Sequence, residues 1–518
     1  MTAMELVDKL FMAALAIGLA SCTAKVPPPY GSVPTAEQLE WQKMEMNMFC
    51  HFGPNTFTGA EWGSGAEPEN VFAPADLDCR QWASTARRAG FKGLILTAKH
   101  HDGFCLWPNP ESRHTVAQSS WRDGRGDVLN EFMDACKSEG LKAGIYISPW
   151  DRSDPHYGSE AYNNVYVKTL RSALSYGEIF ELWFDGANGE GPGGKRQRYD
   201  WPLFRSTVRS LRPGALMFSD VGPDCRWVGD EAGVAGETNW SSLDTCGFEP
   251  GVGAPPPDTL MTGNRGAGAW VPAECDVSIR PGWFWKASET SLLKSVNDLL
   301  SIYYTSVGRN ALLLLNVPPD TSGRIDRTDS LRLMEFRAAL TAIFSENLAA
   351  GAKAEATDSY SRLFKADNVL DGDYDSYWAA GKKVGSALEL IFDGPKTFNR
   401  VCIQEYIPLG QRVEAFTVEV RHEGKWTKLS EASTIGYKRI LLVPQTTADA
   451  LRVTFDSALA EPLINNLALY QDSILSRDFA QRLCSAMNQV RLLVVIAMES
   501  ACEIVLSRQE ASRYGKQG

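Results

Sequence analysis

From about residue 34 to residue 346 the chain alternates short apolar runs, rich in β-branched and aromatic residues, with longer amphipathic stretches. The runs Met48–Phe52, Gly93–Ala98, Ala143–Ser148, Ile179–Phe184, Ala215–Ser219 and Ala311–Val317 read as strands buried on both faces. Stretches such as Cys79–Ala89, Val128–Glu139, Trp201–Leu211 and Thr290–Ser306 read as helices. Strands alternating with helices over this length predict a parallel sheet, and a (β/α)8-like barrel fits it. A doubly wound sheet gives a similar pattern. Where the reactive side chains fall favours the barrel. His51 ends one run, His100 and His101 follow a second, Tyr146 and Trp150 close a third, and Asp185 follows a fourth. Barrel enzymes gather their catalytic groups from the carboxyl ends of several strands.

From residue 347 to 472 the period changes. Ala387–Phe392, Arg400–Glu405, Ala415–Arg421, Arg439–Val443 and Ala450–Phe455 are short β-rich runs separated by Gly, Pro, Asn and Asp, which predicts an all-β sandwich. The boundary falls near Glu346–Gly351. Residues 473–518 change again: Gln481–Ser507 is apolar at helical spacing, with no role that the sequence suggests.

At the other end, Leu10–Ala20 is apolar but too short to span a bilayer; with Lys9 before it and small residues after it, residues 1–21 read as a signal peptide. Glu5 and Asp8 are unusual in such a leader. Leu19-Ala20-Ser21-Cys22 is similar to a bacterial lipobox, which implies an exported periplasmic or outer-membrane lipoprotein of a bacterium, held to a membrane only through a lipid on Cys22. Residues 22–33, with Val26-Pro27-Pro28-Pro29-Tyr30, read as an extended tether.

Length and charge narrow the function. The 518 residues suit two or three domains. A net charge of −11 leaves nothing to offset phosphates, so no nucleic-acid partner is expected. The 11 cysteines are scattered with no C-x-x-C pair, so they read as buried thiols rather than a disulfide or zinc framework.

Three segments carry candidate chemistry. In Ile179–Gly186 an apolar strand delivers Trp183 and Asp185 on one face. Asp185 can attack a sugar carbon from there, or it can simply cap a turn with Gly186. Retaining glycoside hydrolysis needs a second carboxyl about 5–5.5 Å away, with a raised pKa, to protonate the leaving oxygen. Glu231 is the leading partner, with Trp227 as an apolar wall; Asp230, Glu237 and Glu190 are rivals, and residue chemistry alone does not separate Glu231 from Glu237. In Lys99–Phe104 two adjacent imidazoles can exchange hydrogen bonds with sugar hydroxyls. Adjacent strand residues point to opposite faces, which disfavours joint metal chelation, and no H-E-x-x-H motif occurs, so no metal or cofactor is expected for catalysis.

The segments His51-Phe52-Gly53, Glu61-Trp62-Gly63, Lys99-His100-His101-Asp102-Gly103-Phe104, Tyr146-Ile147-Ser148-Pro149-Trp150 and Trp183-Phe184-Asp185-Gly186 together resemble glycoside hydrolase family 29, the α-L-fucosidases. The resemblance runs from about Trp41 to Asp320. It implies Asp185 as nucleophile and a fucose pocket from His51, Glu61, Trp62, His100, His101, Tyr146 and Trp183, with Trp283 against the C5 methyl. Arg226–Glu231 resembles the subgroup acting on α-1,3 and α-1,4 linkages of Lewis-type glycans, which implies Glu231 as acid/base. This chain has Asp230 where that subgroup usually has Asn, and the extra carboxylate should raise the pKa of Glu231. The expected partners are fucosylated oligosaccharides or glycoproteins. The run Asp367–Trp378 resembles discoidin-like domains of the coagulation factor 5/8 type, which implies a structural Ca²⁺ at this Asp-rich turn. Two other readings compete: a carbohydrate-binding protein without activity, and a glycosidase for another sugar such as galactose on the same barrel.

Overall fold

A computed structural model describes residues 26–474. The leader with Cys22 and the apolar tail segment 481–507 lie outside the described residues. Eight parallel strands close a barrel: β1 (Met46–Cys50), β2 (Gly93–Lys99), β3 (Lys142–Ile147), β4 (Glu181–Trp183), β5 (Leu216–Ser219), β6 (Cys225–Trp227), β7 (Ala273–Ser278) and β8 (Ala311–Asn316), with β8 pairing back onto β1. Thr97, Tyr146, Trp183 and Phe218 share one register row across β2 to β5. In that row Trp183 stacks on Phe218 at 3.8 Å between centroids. Such a layer of large rings fills the barrel and makes it a packed core rather than a pore.

The surrounding helices begin and end where local chemistry dictates. Α1 (Ala36–Met44) starts on a Thr35/Gln38 capping box. Α2 (Cys79–Ala89) and α3 (Val128–Glu139) start on the side chains of Asp78 and Asp127 and stop at Gly90 and Gly140, both at positive φ. Α4 (Glu160–Leu174), α5 (Trp201–Leu211), α6 (Val296–Thr305) and α7 (Arg327–Phe344) complete the ring. The helix expected over Thr290–Ser306 is split, because Ser295 caps α6 in a box with Asp298. The N-terminal part is a 3-10 turn, Ala287–Leu292.

Two barrel strands escape an apolar-run reading. Β6 is only three residues long, and the short link 220–224 joins it to β5 without a helix, although parallel neighbours usually need a crossover of about a dozen residues. Β7 reads Ala-Glu-Cys-Asp-Val-Ser, yet every residue in it is buried. Its Glu274 and Asp276 point into the barrel, where each accepts one indole N–H, from Trp183 and Trp227.

The second domain is an antiparallel β structure with its own core around Trp378, Phe398, Phe416 and Phe455. The runs expected at 387–392 and 400–405 are one strand, Ala387–Glu405, bent at bulges; those at 439–443 and 450–455 are likewise one strand, Arg439–Ala458. At its edge the N-terminal segment is pinned: Tyr30 N–H donates to Leu409 O (3.0 Å), and Arg412 donates to Pro28 O (2.6 Å). At the Asp-rich turn the carboxylates serve their own backbone, Asp371 accepting from Asp373 N and Asp373 from Asp375 N. The eight cysteines among the described residues are all free, and all but Cys246 are buried.

Candidate active site

The carboxyl ends of the strands enclose a cavity of about 320 Å³. His51, Glu61, Trp62, His100, His101, Trp183, Asp185, Glu231 and Trp283 all line it. Tyr146 stands behind the wall and reaches in through its hydroxyl, which donates to Asp185 Oδ2 at 3.1 Å. The rivals lie elsewhere. Glu237 is exposed and paired with Arg309 at 3.3 Å, and neither Glu190 nor Asp230 lines the cavity.

Asp185 is fixed by its surroundings. Its Oδ1 accepts from Ala187 N (2.7 Å), and His101 Nε2 lies 3.9 Å from Oδ2. Gly186 is required beside it: a Cβ there would come within 2.8 Å of Asp220 Oδ2.

The imidazole side is built by hydrogen bonds whose donors can be assigned. Asn316 Nδ2 donates to the Trp283 carbonyl (2.8 Å), so its Oδ1 faces His51. That oxygen can only accept, so His51 Nδ1 carries the proton at 2.9 Å, and its Nε2 is left to accept a hydroxyl proton. Burial lowers the His51 pKa to about 3 and the His101 pKa to about 4, and it drives that of His100 well below the usual range. The three rings are neutral at working pH. The strand rule for His100 and His101 does not apply, because β2 ends at Lys99; both rings face the cavity, 4.1 Å apart.

Lys99 holds the next loop. Its buried ammonium donates to Ser148 O (2.9 Å) and Trp150 O (3.2 Å) and pairs with buried Asp151 at 3.1 Å. Ser148 in turn meets His101 Nδ1 at 2.7 Å. Losing one partner of such a buried pair costs about 3–5 kcal/mol.

On the opposite side, Glu231 sits at the rim and accepts from Trp283 Nε1 at 3.2 Å. Desolvation by the cavity wall raises its pKa, and Asp185, Glu61 and Asp230 raise it further. Glu61 anchors the Trp283 loop by accepting from Trp283 N (2.8 Å) and binding Lys286. Gly282 leaves room for it, since a Cβ there would lie 2.4 Å from Glu61 Oε1.

Two carboxyls in the cavity, Asp220 and Asp276, were not singled out from sequence. Asp220 directly follows the run Ala215–Ser219, so the strand-end signal that found Asp185 also marks it. Burial, and then Asp185, push its pKa up to about 6. Asp276 lies in the unrecognised β7, with its Oδ1 2.9 Å from Trp227 Nε1 and its pKa driven well up by burial. Among the described residues, one group of three His, Cys, Asp or Glu side chains converges as metal ligands would: Glu181, Cys225 and Glu274, deep in the barrel. Glu181 and Glu274 accept from the indoles of Trp41 and Trp183.

Comparison with known proteins finds relatives along most of this chain. Residues 28–187 match the α-L-fucosidase family model, and residues 352–465 match the F5/8 type C domain model. A rice protein described as α-L-fucosidase 1 is 45% identical over 88% of this chain and 89% of its own. Arabidopsis thaliana α-L-fucosidase 1 is 44% identical over 86% and 89%. The structure of a Ruminococcus gnavus GH29 fucosidase in complex with fucose superposes with a TM-score of 0.78 at 31% identity, covering 87% of this chain and 98% of that one. The plant relatives correct the expected location: two curated proteins that align with nearly nine-tenths of this chain come from rice and Arabidopsis thaliana, which overturns the bacterial lipoprotein reading. The resemblance, the closed barrel and the matched relatives converge: the chain belongs to glycoside hydrolase family 29 and is an α-L-fucosidase with a C-terminal F5/8 type C domain.

Proposed function

We propose that this fucosidase works by double displacement with retention, cutting terminal α-1,3- and α-1,4-linked fucose from branched oligosaccharides or glycoproteins. The observation that carries this reading is the pairing, in one cavity, of Asp185 held by hydrogen-bond donors with Glu231 of raised pKa. In the first step an Asp185 oxygen bonds to the anomeric carbon while the carbon–oxygen bond to the aglycon breaks. Glu231 gives its proton to that departing oxygen. In the second step the Glu231 carboxylate takes a proton from water, the water oxygen bonds to the same carbon, and the ester to Asp185 breaks. Two inversions return the original configuration.

Neutral His51, His100 and His101 suit hydroxyl recognition, since each imidazole offers one donor and one acceptor. The Trp283 face supports an apolar contact for the methyl of a 6-deoxy sugar. The linkage preference rests on the likeness of Arg226–Glu231 to the Lewis-acting subgroup. Fucose release from Lewis-type trisaccharides and from 2′-fucosyllactose, measured for the wild type, Asp185→Ala and Glu231→Ala, tests all of it. Cleavage of the trisaccharides alone, lost in both variants, is expected; equal cleavage of 2′-fucosyllactose overturns the linkage, and an active Glu231→Ala overturns the acid/base. Calcium at the Asp367–Trp378 turn is a separate proposal, checked by whether EDTA lowers the melting temperature and Ca²⁺ restores it.

A further inference from the structure

The segment that follows Glu231 does not rest on the barrel alone. Arg226 of β6 is fully buried without a carboxylate partner; it donates to the carbonyls of Leu260, Val271 and Trp240 and to Asn239 Oδ1. Every polar group of Asn239 is engaged. Its Nδ2 donates to Arg309 O at 2.8 Å, and its carbonyl accepts from Asn310 Nδ2 at 3.1 Å, both at the entry to β8. That same carbonyl accepts from Gln411 Nε2 (2.9 Å), and its N–H donates to Thr434 Oγ1 (2.8 Å). Gln411 and Thr434 belong to the β domain and are buried. Gln411 Oε1 also accepts from Ser241 N (2.8 Å), so one side-chain amide pairs with this loop as a strand would. Thr238 Oγ1 donates to Ser433 Oγ (2.8 Å), Ser433 in turn donates to Glu237 O (3.1 Å), and Arg439 donates to the same carbonyl.

From this geometry we infer that the β domain is a working part of the active site: Gln411 and Thr434 are positioning residues that hold the loop carrying Glu231 at the height from which it protonates the leaving oxygen. The inference rests on Glu231 being the acid/base. Glu231 is exposed at the rim on an irregular segment between β6 and β7, which the barrel holds in part: Asp230 Oδ1 accepts from Ala232 N (2.7 Å), Ala232 bridges to Val277, Thr305 Oγ1 donates to Gly233 O (3.0 Å) and Ala235 N donates to Thr305 O (2.9 Å). Beyond that point the backbone is fastened through Asn239 to both domains. A general acid displaced by about 1 Å loses much of its effect, because proton transfer needs hydrogen-bond reach.

The leaving group separates this from a general structural role. The disaccharide aglycon of a Lewis-type trisaccharide leaves as a poor alkoxide and needs the proton, whereas a dinitrophenyl group leaves unaided. Thr434→Val removes the acceptor with little change of volume, Gln411→Ala removes both amide contacts, and Thr434→Ser restores the hydroxyl. We expect kcat/KM on a Lewis-type trisaccharide to fall by at least roughly tenfold more than on 2,4-dinitrophenyl α-L-fucoside in Thr434→Val and Gln411→Ala, with recovery in Thr434→Ser. The full-length enzyme is used throughout, with its melting temperature followed in parallel. Equal losses on both substrates, or no loss in either variant, overturn the inference. Glu231→Ala must show the same dependence on leaving group; if it does not, the acid/base assignment has failed, whatever the two positioning variants do.

Discussion

The two sides of the sugar pocket meet the same physical condition with opposite results. On the β1–β3 side stand His51, His100 and His101; on the β4–β7 side stand Asp185, Asp220, Glu231 and Asp276. Burial disfavours charge on both. It strips the imidazoles of their protons and leaves neutral rings with one donor and one acceptor each. It raises the pKa of Asp220, Glu231 and Asp276. One cavity thus yields a neutral recognition surface of imidazoles and, facing it, carboxyls on which burial favours the protonated form. Asp185 sits at their junction, touched by Tyr146 from one side and adjacent to Asp220 on the other.

The division can be broken most strongly at the junction. Asp185→Ala should lower kcat on any α-L-fucoside by at least roughly ten-thousandfold, measured by fucose release, because no covalent intermediate can form. Next comes the acidic side. Glu231→Ala should cost about 10²–10⁴ in kcat on glycans. Added azide should restore turnover on an activated aryl fucoside by taking the place of water; an azide effect of nil would remove Glu231 from the role.

A smaller change is expected on the imidazole side. Asn316→Asp keeps an acceptor for His51 Nδ1 but makes it an anion, which favours the imidazolium and turns Nε2 from acceptor into donor. The KM for fucosides should rise roughly tenfold. If KM is unchanged, the assigned tautomer of His51 is wrong.

The finest test moves the pH profile in two directions. Glu231 must be protonated to act, so kcat/KM falls as pH rises through its pKa. The Trp283 indole stabilises the carboxylate and the Asp230 charge destabilises it. Trp283→Phe should therefore shift the alkaline limb up, and Asp230→Asn, which keeps the turn oxygen, should shift it down, each by a fraction of a pH unit. Shifts of the same sign in both would contradict this electrostatic account.

Legibility from sequence followed residue chemistry and strand position. His51, His100 and Asp185 could be read because each stands where an apolar strand run ends, and their segments resemble the family. Asp220 stands at such an end as well, but no family-like segment surrounds it. Asp276 lies beyond such signals: a strand spelled Ala-Glu-Cys-Asp-Val-Ser looks like surface, and only the fold brings the indoles of Trp183 and Trp227 to donate to its acids. The split of Thr290–Ser306 at Ser295 was legible in principle, since Ser295 and Asp298 form a capping box.

By itself the sequence determined the two-domain plan and the barrel's period, because these depend on local periodicity; the enzyme class and most of the side chains that line the pocket were legible through the resemblance of its segments to glycoside hydrolase family 29. Tertiary structure showed where Glu231 and Glu237, left unseparated by residue chemistry, stand: the first faces the cavity and the second pairs with Arg309 outside it. It alone gave His51 its tautomer, through Asn316 some 265 positions away. It alone fastened the Glu231 loop to the β domain through Asn239, Gln411 and Thr434. Each of these rests on hydrogen bonds and fields between groups far apart in the chain, and no local pattern encodes which distant partner will arrive.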